Sequence, residues 1–301
     1  MKKISKTIVF FGNERLVSGL KTTDTPVLRS LIDAGYNVAA VVVHHRESQS
    51  RNNRPLEVAK LAEEHSIPVL YPVKMKEVKD QLTAYNADAG VLVAFGKIIP
   101  QSIIDIFPHG IINIHPSLLP KYRGPTPIEA AILNGDTETG VSIMQLTAGM
   151  DEGPIFAQAR TQLTDTETKF SLYEALALRS AHLLIDILPQ ILSDKLHPTP
   201  QNNSQASYCP LFTKESSWLQ PEKTTAKEAE RHVRACLVFP KTKLVVNGHT
   251  IIITKAHIAT ARATALDVHC KDGKFLIIDT LIAPSGRPMD AHSFVNGYLS
   301  D

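Results

Sequence analysis

Two polar side chains, Asn113 and His115, lie two residues apart at the end of a short apolar run, residues 111–115 (IINIH). In a β-strand alternate side chains point to the same face, so both polar groups would enter one pocket. Pro116 and Pro120 follow and end the strand, because proline has no backbone N–H for a sheet. The pair could satisfy loop carbonyls or perform acid–base chemistry.

A carboxylate further along the chain completes a possible reactive group. Asp151 lies in the loop GMDEGP, residues 149–154, after a predicted helix at 126–134 and a predicted strand at 140–146. One helix and one strand suffice to return the chain beside its starting strand. Asp is also common in glycine-rich turns, but Gly149 and Gly153 let the backbone approach a ligand closely. We therefore expect Asp151 to face His115.

The elements that carry these residues alternate between short apolar runs and helical stretches. Strands are predicted at 7–12, 38–43, 69–72, 89–94 and 111–115, and helices at 25–34, 55–64 and 78–85. This alternation predicts a Rossmann-like, doubly wound, mostly parallel α/β sheet, whose ligands bind beyond the carboxyl ends of the strands. Gly12 does not begin a GxGxxG pattern and no Walker A sequence occurs, so a dinucleotide or ATP cofactor is not supported.

The texture of the sequence changes after a long helix predicted at 171–192. Residues 194–207 are rich in Pro, Asn, Gln and Ser, which predicts a linker and two domains, 1–204 and 205–301. Asn247-Gly248 lies between apolar runs at 243–246 and 250–253, a strong hairpin signal, and another strand is predicted at 274–278. With one helix at 225–237, the second domain is predicted to be a small OB-like β-barrel.

Composition limits the class of protein without identifying it. The 301 residues are 43% hydrophobic and 21% charged, and the net charge of +2 does not indicate a nucleic-acid binder, although a local basic patch remains possible. No signal peptide and no apolar run of roughly 18 residues is present, so we expect a cytoplasmic protein. We also expect a monomer. Three cysteines without a CxxC, and no HExxH, predict neither a disulfide framework nor a metal site.

Residues 113–124 (NIHPSLLPKYRG) resemble the signature of the formyltetrahydrofolate-dependent transformylases, and residues 149–154 resemble the Asp loop of that family. The resemblance implies 10-formyltetrahydrofolate as co-substrate and Asn113, His115 and Asp151 as catalytic residues. Asn113 would donate to the oxyanion formed when an amine attacks the formyl carbon. His115 would stabilise the same oxygen or protonate the leaving nitrogen, and Asp151 would hold His115 and accept the proton of the amine.

The same resemblance implies a set of residues that contact the folate. In the family, the backbone after the fourth strand lines the pterin pocket and the loop after the catalytic strand bounds the folate. Carried onto this sequence, these positions are Lys97, Ile98, Ile99, Ser117, Leu118, Leu119 and Pro120, and Met150 of the Asp loop is expected to contact the folate as well.

The tail resembles the tRNA-contacting domain of the methionyl-tRNA formyltransferases, through Tyr208, residues 213–215 (TKE), and the segment from Arg234 to Pro240. This second resemblance implies formyl transfer to the amino group of initiator methionyl-tRNA. A sugar-nucleotide N-formyltransferase with the same triad is the alternative, and a noncatalytic RNA-binding protein is a third possibility. Two departures stand out: the first loop, residues 12–25, replaces the family's Gly-Thr-Pro and is longer, and a strand pair is missing between residues 258 and 268.

The acceptor RNA is expected to be held by arginines. The loop at residues 44–54 carries Arg46 and Arg51, whose guanidinium groups match phosphate geometry, although a plain solvated loop is an equal alternative. The helix at 225–237 is basic at Arg231 and Arg234, which predicts a second RNA-contacting surface.

Overall fold

A computed structural model describes residues 6–17, 24–44 and 56–299 of the chain. The first part of the chain forms an α/β unit and the last part a smaller β-rich unit. The elements of the α/β unit are β1 Thr7–Gly12, α1 Pro26–Asp33, β2 Asn37–Val42, α2 Glu57–Glu64, β3 Val69–Leu70, α3 Lys79–Ala84, β4 Ala89–Val93, α4 Gln101–Ile104, β5 Ile111–His115, α5 Pro127–Asn134, β6 Glu138–Gln145, β7 Ile155–Gln162 and α6 Lys169–Ile191. The β-rich unit contains α7 Ala226–Ala235, β8 Thr242–Val246, β9 His249–Ala259, β10 Val268–His269, β11 Phe275–Ile282, β12 Pro288–Asp290 and α8 Ala291–Phe294.

The α/β unit is built on a seven-stranded sheet in the order β3-β2-β1-β4-β5-β6-β7. Strands β1 to β5 are parallel, β6 is antiparallel to β5, and β7 pairs antiparallel with β6 at the edge of the sheet. The predicted doubly wound, mostly parallel sheet is confirmed. Strand β7 was not predicted, because its polar sequence IFAQARTQ suits an edge strand rather than a buried one.

The central strands separate two apolar cores. Ile112 and Ile114 pack on the side covered by α1 and α6, whereas Ile111 packs with Phe11 on the other side. Since side chains alternate along a strand, Asn113 and His115 share the face of Ile111. The predicted common orientation of the two polar groups is therefore present.

The predicted helices lie within a few residues of the observed ones. The main difference is at residues 75–84, where a 3-10 turn, Met75–Val78, precedes α3. The long helix begins two residues earlier than predicted, at Lys169, because Thr168 accepts a hydrogen bond from the Ser171 N–H and caps it.

The β-rich unit is an antiparallel sheet in the order β10-β11-β9-β8, with β12 paired to β11. Asn247 and Gly248 both have positive φ, 46° and 78°, and form the predicted two-residue hairpin between β8 and β9. Within the described residues β8 and β10 do not pair with each other, so the sheet is an open half-barrel. The sequence predicts that this barrel lacks a strand pair of the family between residues 258 and 268. In the structure a loop at residues 260–267 joins β9 to β10.

The segment between α6 and α7, residues 192–225, is called the connector here. It is not a free linker, since Thr199 exchanges two backbone hydrogen bonds of 2.8 Å with Ile155 at the start of β7. Near its other end, Trp218 bridges to Lys243 of β8, and the Leu219 N–H donates to the Lys243 carbonyl at 3.0 Å. The predicted boundary at 204/205 lies inside this segment, and as a domain boundary it stays a prediction.

Helix α7 joins the two units through ion pairs. Arg231 donates from Nε and Nη2 to the two carboxylate oxygens of Asp165, at 2.9 and 2.8 Å, and its guanidinium lies against Gly135 at the end of α5. Arg234 donates to Asp165 at 2.9 Å and to the Glu167 carbonyl at 2.7 Å. The predicted RNA-contacting role of Arg231 and Arg234 is therefore wrong for this geometry, because both guanidinium groups are largely buried between the units and already paired.

A second buried ion pair lies in the same interface. The Lys169 ammonium, at the start of α6, is 3.1 Å from Glu129 of α5 and donates to the Phe239 carbonyl at 2.9 Å. Burial raises the pKa of Glu129, while the charge of Lys169 opposes that shift.

No helix among the described residues has the length and apolar character needed to cross a membrane.

Candidate active site

Strand β5 delivers the first two polar groups to the middle of the sheet. It pairs with β4 on one side and with antiparallel β6 on the other, where Asn113 lies opposite Met144 and His115 opposite Ser142. Both side chains are nearly buried, each residue being 5% exposed. The site thus lies where the sheet changes from parallel to antiparallel, and its base is rigid.

The imidazole of His115 lies between two oxygen acceptors. Its Nε2 atom is 2.9 Å from the Tyr122 carbonyl, and a carbonyl oxygen accepts only, so Nε2 is the donor. Its Nδ1 atom is 3.6 Å from Oδ2 of Asp151. A ring protonated at both nitrogens would offer a donor to each acceptor, whereas a ring protonated at Nε2 alone would turn a lone pair toward the carboxylate. The predicted meeting of His115 and Asp151 is confirmed.

Among the described residues, one backbone donor anchors the Asp151 carboxylate. Its Oδ2 atom accepts from the Gly124 N–H at 2.8 Å, in the loop that follows β5. Gly124 has φ of 115°, and a Cβ there would lie 2.5 Å from the Cys209 carbonyl oxygen, so glycine is required for this approach. No hydrogen bond within the described part of the chain ends on Oδ1, which leaves one carboxylate oxygen available to a substrate.

The Asp151 loop is tightly placed against the sheet. Asp151 itself has φ of 51°, a left-handed conformation that costs a non-glycine residue roughly 1–2 kcal/mol. A Cβ at Gly153 would lie 1.8 Å from the Gln145 carbonyl oxygen of β6. This glycine therefore serves close packing of the loop on β6, and the expectation that it admits a ligand is not needed to explain it.

Asn113 contributes an uncommitted amide. Among the hydrogen bonds of the described residues, none involves its side chain, although the residue is nearly buried. Its amide atoms do not belong to the buried polar atoms that lack a partner, so they remain open to water or to a ligand, to which the amide nitrogen can donate. Together with His115 and Asp151, it gives the pocket a donor, a proton carrier and a carboxylate.

The loop after β5 is fixed by hydroxyl and amide groups that composition did not reveal. Ser117 donates from Oγ to the Lys121 carbonyl at 2.6 Å, and its own carbonyl accepts from Ser142 at 2.7 Å. Leu119 donates its N–H to Ser142 at 3.0 Å, and its carbonyl accepts from Gln158 at 2.8 Å. Because Ser142 and Gln158 lie on β6 and β7, the antiparallel strands define the shape of this loop.

The predicted folate contacts divide into two groups. Ile98 and Met150 are strongly exposed, at 87% and 61%, while Lys97, Leu118 and Pro120 are half-buried, so these five can meet a ligand from solvent. Ser117, Leu119 and Ile99 are buried at 0%, 3% and 4%, so their side chains support the walls from behind in this conformation. As folate contacts, all eight residues stay a prediction.

Several residues around Asp151 were missed by the sequence reasoning. Arg123, 1% exposed, contacts Gln201 and Asn203 of the connector, and Gln201 in turn contacts the Asp151 loop. Arg123 belongs to the motif at residues 113–124, so the sequence offered a signal for it. No local sequence pattern indicated Gln201, which contacts Arg123 only in the folded chain. Arg46 and Arg51, the predicted RNA contacts, lie outside the described residues.

Cysteine does not offer an alternative nucleophile here. The thiol of Cys209 lies 3.3 Å from the Arg123 carbonyl and is buried, and burial raises the pKa of this thiol. It therefore stays a protonated thiol near neutral pH. Among the described residues no group of three or more His, Cys, Asp and Glu side chains is arranged to hold a metal ion.

Comparison with known proteins identifies the family. Residues 15–188 match the formyl transferase family model, and residues 213–299 match the model for the formyl transferase C-terminal domain. The chain belongs to the formyl transferase family. Family members similar to it include the methionyl-tRNA formyltransferase of Pelobacter propionicus, 33% identical over 97% of this chain and 93% of the relative. That of Chloroflexus aggregans is 38% identical over 79% and 78% of the two chains.

Solved structures of other proteins share the fold at lower sequence identity. An N-formyltransferase from Helicobacter canadensis, in complex with folinic acid and dTDP-3-aminofucose, matches with a TM-score of 0.69 and 18% identity over 91% of this chain and 99% of that one. HypX from Aquifex aeolicus, in complex with tetrahydrofolic acid, matches with a TM-score of 0.68 and 16% identity. This chain is covered to 97% but spans about half, 47%, of HypX. At these identities the likeness shows the fold alone.

Proposed function

We propose that this protein transfers the formyl group of 10-formyltetrahydrofolate to the amino group of initiator methionyl-tRNA. The observation that carries the proposal is the meeting of His115 and Asp151 at 3.6 Å beside Asn113, whose amide has no hydrogen-bond partner in the described ranges of the chain. The acceptor is suggested by relatives named methionyl-tRNA formyltransferase that align over nearly the whole chain, the β-rich unit included.

The chemistry follows from the available atoms. The amine nitrogen of the acceptor attacks the formyl carbon, and the carbonyl oxygen becomes an oxyanion that accepts from the Asn113 amide. Removal of one such donor costs about 3–4 kcal/mol in comparable acyl-transfer sites. The bond from the formyl carbon to the folate nitrogen then breaks, and the oxyanion returns to a carbonyl.

Two proton transfers accompany these bond changes. The Oδ1 atom of Asp151, which accepts no hydrogen bond from the described residues, is the acceptor for the proton that the amine loses, directly or through water. His115 is anchored through Nε2 to the Tyr122 carbonyl, so Nδ1 is the nitrogen that can stabilise the oxyanion or protonate the leaving folate nitrogen. No covalent enzyme intermediate is required, in agreement with the raised pKa of the Cys209 thiol.

The described residues suit a formyl donor that is flat and partly apolar. The exposed side chain of Ile98 supplies an apolar surface beside Lys97, whose ammonium donates to the Val73 carbonyl at 2.9 Å and steadies that side of the pocket. Met150 extends the surface next to Asp151. Ligand sites of this kind combine apolar walls with a few placed polar groups.

The sugar-nucleotide N-formyltransferases remain a second candidate, since solved structures of that type share the fold. The decisive experiment gives the purified protein 10-formyltetrahydrofolate together with either methionyl-tRNA or a set of amino-sugar nucleotides, and measures formylated product. We expect product from methionyl initiator tRNA. Product from an amino-sugar nucleotide and none from methionyl-tRNA would overturn the proposed acceptor.

A further inference from the structure

The connector passes directly over the Asp151 loop and contacts its backbone with one side chain. The amide nitrogen of Gln201 donates to the Asp151 carbonyl at 2.8 Å and to the Gly153 carbonyl at 2.7 Å. These two carbonyls belong to the peptide units Asp151–Glu152 and Gly153–Pro154, which flank the Glu152–Gly153 unit. A single amide therefore spans the loop at the residue that carries the reactive carboxylate.

The orientation of the Gln201 amide is itself determined by Arg123. The Gln201 Oε1 atom accepts from Nε of Arg123 at 3.1 Å and from Nη2 at 2.8 Å. A guanidinium only donates, so the amide oxygen must face Arg123 and the amide nitrogen must face the two loop carbonyls. Only this orientation of the Gln201 amide places its oxygen next to donors and its nitrogen next to acceptors.

Arg123 is in turn held on all sides. Its side chain is 1% exposed, Nη2 also donates to Asn203 at 2.7 Å, and Nη1 donates to the Tyr208 hydroxyl at 3.3 Å. Nη1 is also 3.5 Å from the Glu152 carboxylate, in the same loop as Asp151. A planar fork with this many partners is a rigid support, because little side-chain freedom remains to it.

The Asp151 loop needs such a support. Asp151 adopts a left-handed backbone conformation, which costs any non-glycine residue some free energy, and within the described residues one backbone N–H holds its side chain. Without further contacts the peptide units on both sides of Asp151 could relax and carry the carboxylate away from His115. One bond from Gln201 holds the peptide unit that follows Asp151, and the other holds the peptide unit that follows Gly153, two residues further on.

We propose that Gln201, oriented by Arg123, is a positioning residue that sets the distance between the Asp151 carboxylate and His115 during formyl transfer. This inference rests on the proposed function, in which Asp151 accepts a proton. Gln201 itself touches neither substrate nor reacting atoms. A displacement of about 1 Å at a reacting group can cost on the order of 100-fold in rate, so one side chain acting on backbone can have a large effect.

The experiment compares Gln201→Glu, Gln201→Ala and the control Asn203→Ala in full-length protein. A glutamate at this position keeps the size and the contact to Arg123, but it cannot donate to the two loop carbonyls. We expect kcat to fall about 10- to 100-fold in both Gln201 variants, with the KM values for folate and acceptor nearly unchanged. Asn203→Ala removes a neighbouring Arg123 contact that does not reach the loop, and its kcat should stay within about twofold of the unmodified protein.

The pH profile of kcat separates positioning from loss of packing. Glutamate at residue 201 places a negative charge beside Asp151, which should move the acid limb of the profile to higher pH, while Gln201→Ala should lower kcat without that shift. Thermal unfolding of each variant is followed in parallel. Values of kcat within about twofold of the unmodified protein in both Gln201 variants would overturn the proposal, whatever their unfolding temperatures.

Equal losses of kcat in Gln201→Ala and Asn203→Ala would also overturn it, because they would point to general loosening of the connector. The unmodified protein is assayed with both classes of acceptor in the same series. If it formylates only an amino-sugar nucleotide, the proposed acceptor is wrong, yet the ratio of variant to unmodified kcat with that acceptor still tests Gln201. Failure of the two ideas is thus distinguishable.

Discussion

Two aspartates lie at opposite ends of strand β7 and share one backbone conformation, but their surroundings differ. Asp151 precedes the strand with φ of 51°, and Asp165 follows it with φ of 62°. Asp165 is contacted by three cations: Lys227 at 3.0 Å, Arg231 at 2.8 Å and Arg234 at 2.9 Å. Asp151 has one backbone N–H and, at 3.6 Å, the ring of His115.

The difference shows how the number of donors around a carboxylate decides what it can do. Hydrogen bonding from Arg231, with further support from Lys227 and Arg234, holds the pKa of Asp165 well below its usual range, so this carboxylate cannot take up a proton near neutral pH. It serves to join the two units. Asp151 keeps an oxygen without a partner among the described residues, and such an oxygen can accept a proton from a substrate.

The largest effect that tests this contrast is expected from Asp151→Asn. The substitution keeps the shape of the side chain but removes the proton acceptor and the negative charge beside His115. Because each of these contributions is worth roughly 100-fold or more, we expect kcat to fall by several orders of magnitude, with folate binding and unfolding temperature close to normal. Near-normal turnover would mean that Asp151 is an ordinary loop residue.

Asp165→Ala should produce the opposite pattern. It leaves Arg231 and Arg234, 13% and 11% exposed, without their shared counterion, and we expect a loss of about 3 kcal/mol in the free energy of unfolding. Urea unfolding measures it. The exposed pair of Arg160 and Glu138 supplies the control, since Glu138→Gln should cost less than about 1 kcal/mol. A folded Asp165→Ala protein of unchanged stability would remove the contrast.

The pH dependence of the same interface has a defined sign. The pKa of Asp165 is lowered in the folded protein, so its contribution to stability is present above its ordinary value of 3.8 and is lost as the pH falls below it. Acid unfolding of the unmodified protein should therefore show a component that Asp165→Ala lacks.

Glu14 extends the comparison to a third acidic residue with positive φ, here 55°. Its fully buried carboxylate accepts from the N–H groups of Val27 and Leu28 at the start of α1, at 2.9 and 2.7 Å. Burial raises the pKa of Glu14 from 4.5 to about 7, although the two backbone donors oppose the shift. The contribution of Glu14 to stability is thus complete below pH 4.5 and decreases as the pH rises to about 7.

We expect this residue to lower the free energy of unfolding by about 2 kcal/mol between about pH 5 and pH 8. Glu14→Gln cannot titrate, so the difference between the two proteins should change by that amount over the same interval. Urea titrations at the two pH values check it. A difference independent of pH would show that the two backbone donors outweigh burial.

The smallest expected effect concerns the arginines. Arg46 and Arg51 were predicted to contact tRNA phosphates, whereas Arg231 and Arg234 are committed to Asp165. Replacing Arg46 and Arg51 by alanine should raise the KM for methionyl-tRNA several-fold and flatten its salt dependence by about one unit per lost contact, without changing the KM for folate. Arg231→Ala should lower stability and leave the salt slope unchanged. If instead Arg231→Ala flattens the salt dependence and the Arg46 and Arg51 substitutions do not, α7 contacts the RNA.

The sequence predicted those features that depend on local pattern. The buried run at β5 predicted the common face of Asn113 and His115, and Asn247-Gly248 predicted its hairpin because few other residues tolerate two successive positive φ values. The interface role of Arg231 was not predictable, since a basic helix face has the same pattern whether it meets RNA or the carboxylate of Asp165. Gln201 gave no signal either, because its partners come from loops distant in sequence.

The connector has a further consequence for how the molecule behaves toward other copies of itself. Strands β7 and β8 are edge strands of the two sheets, and an uncovered edge offers N–H and C=O groups on which a foreign strand can add. Thr199 occupies such groups on Ile155 of β7, and Trp218 and Leu219 occupy them on Lys243 of β8. One segment thus blunts an edge in each sheet, and proteolytic cuts that released residues 199 and 218–219 would uncover both edges and favour aggregation.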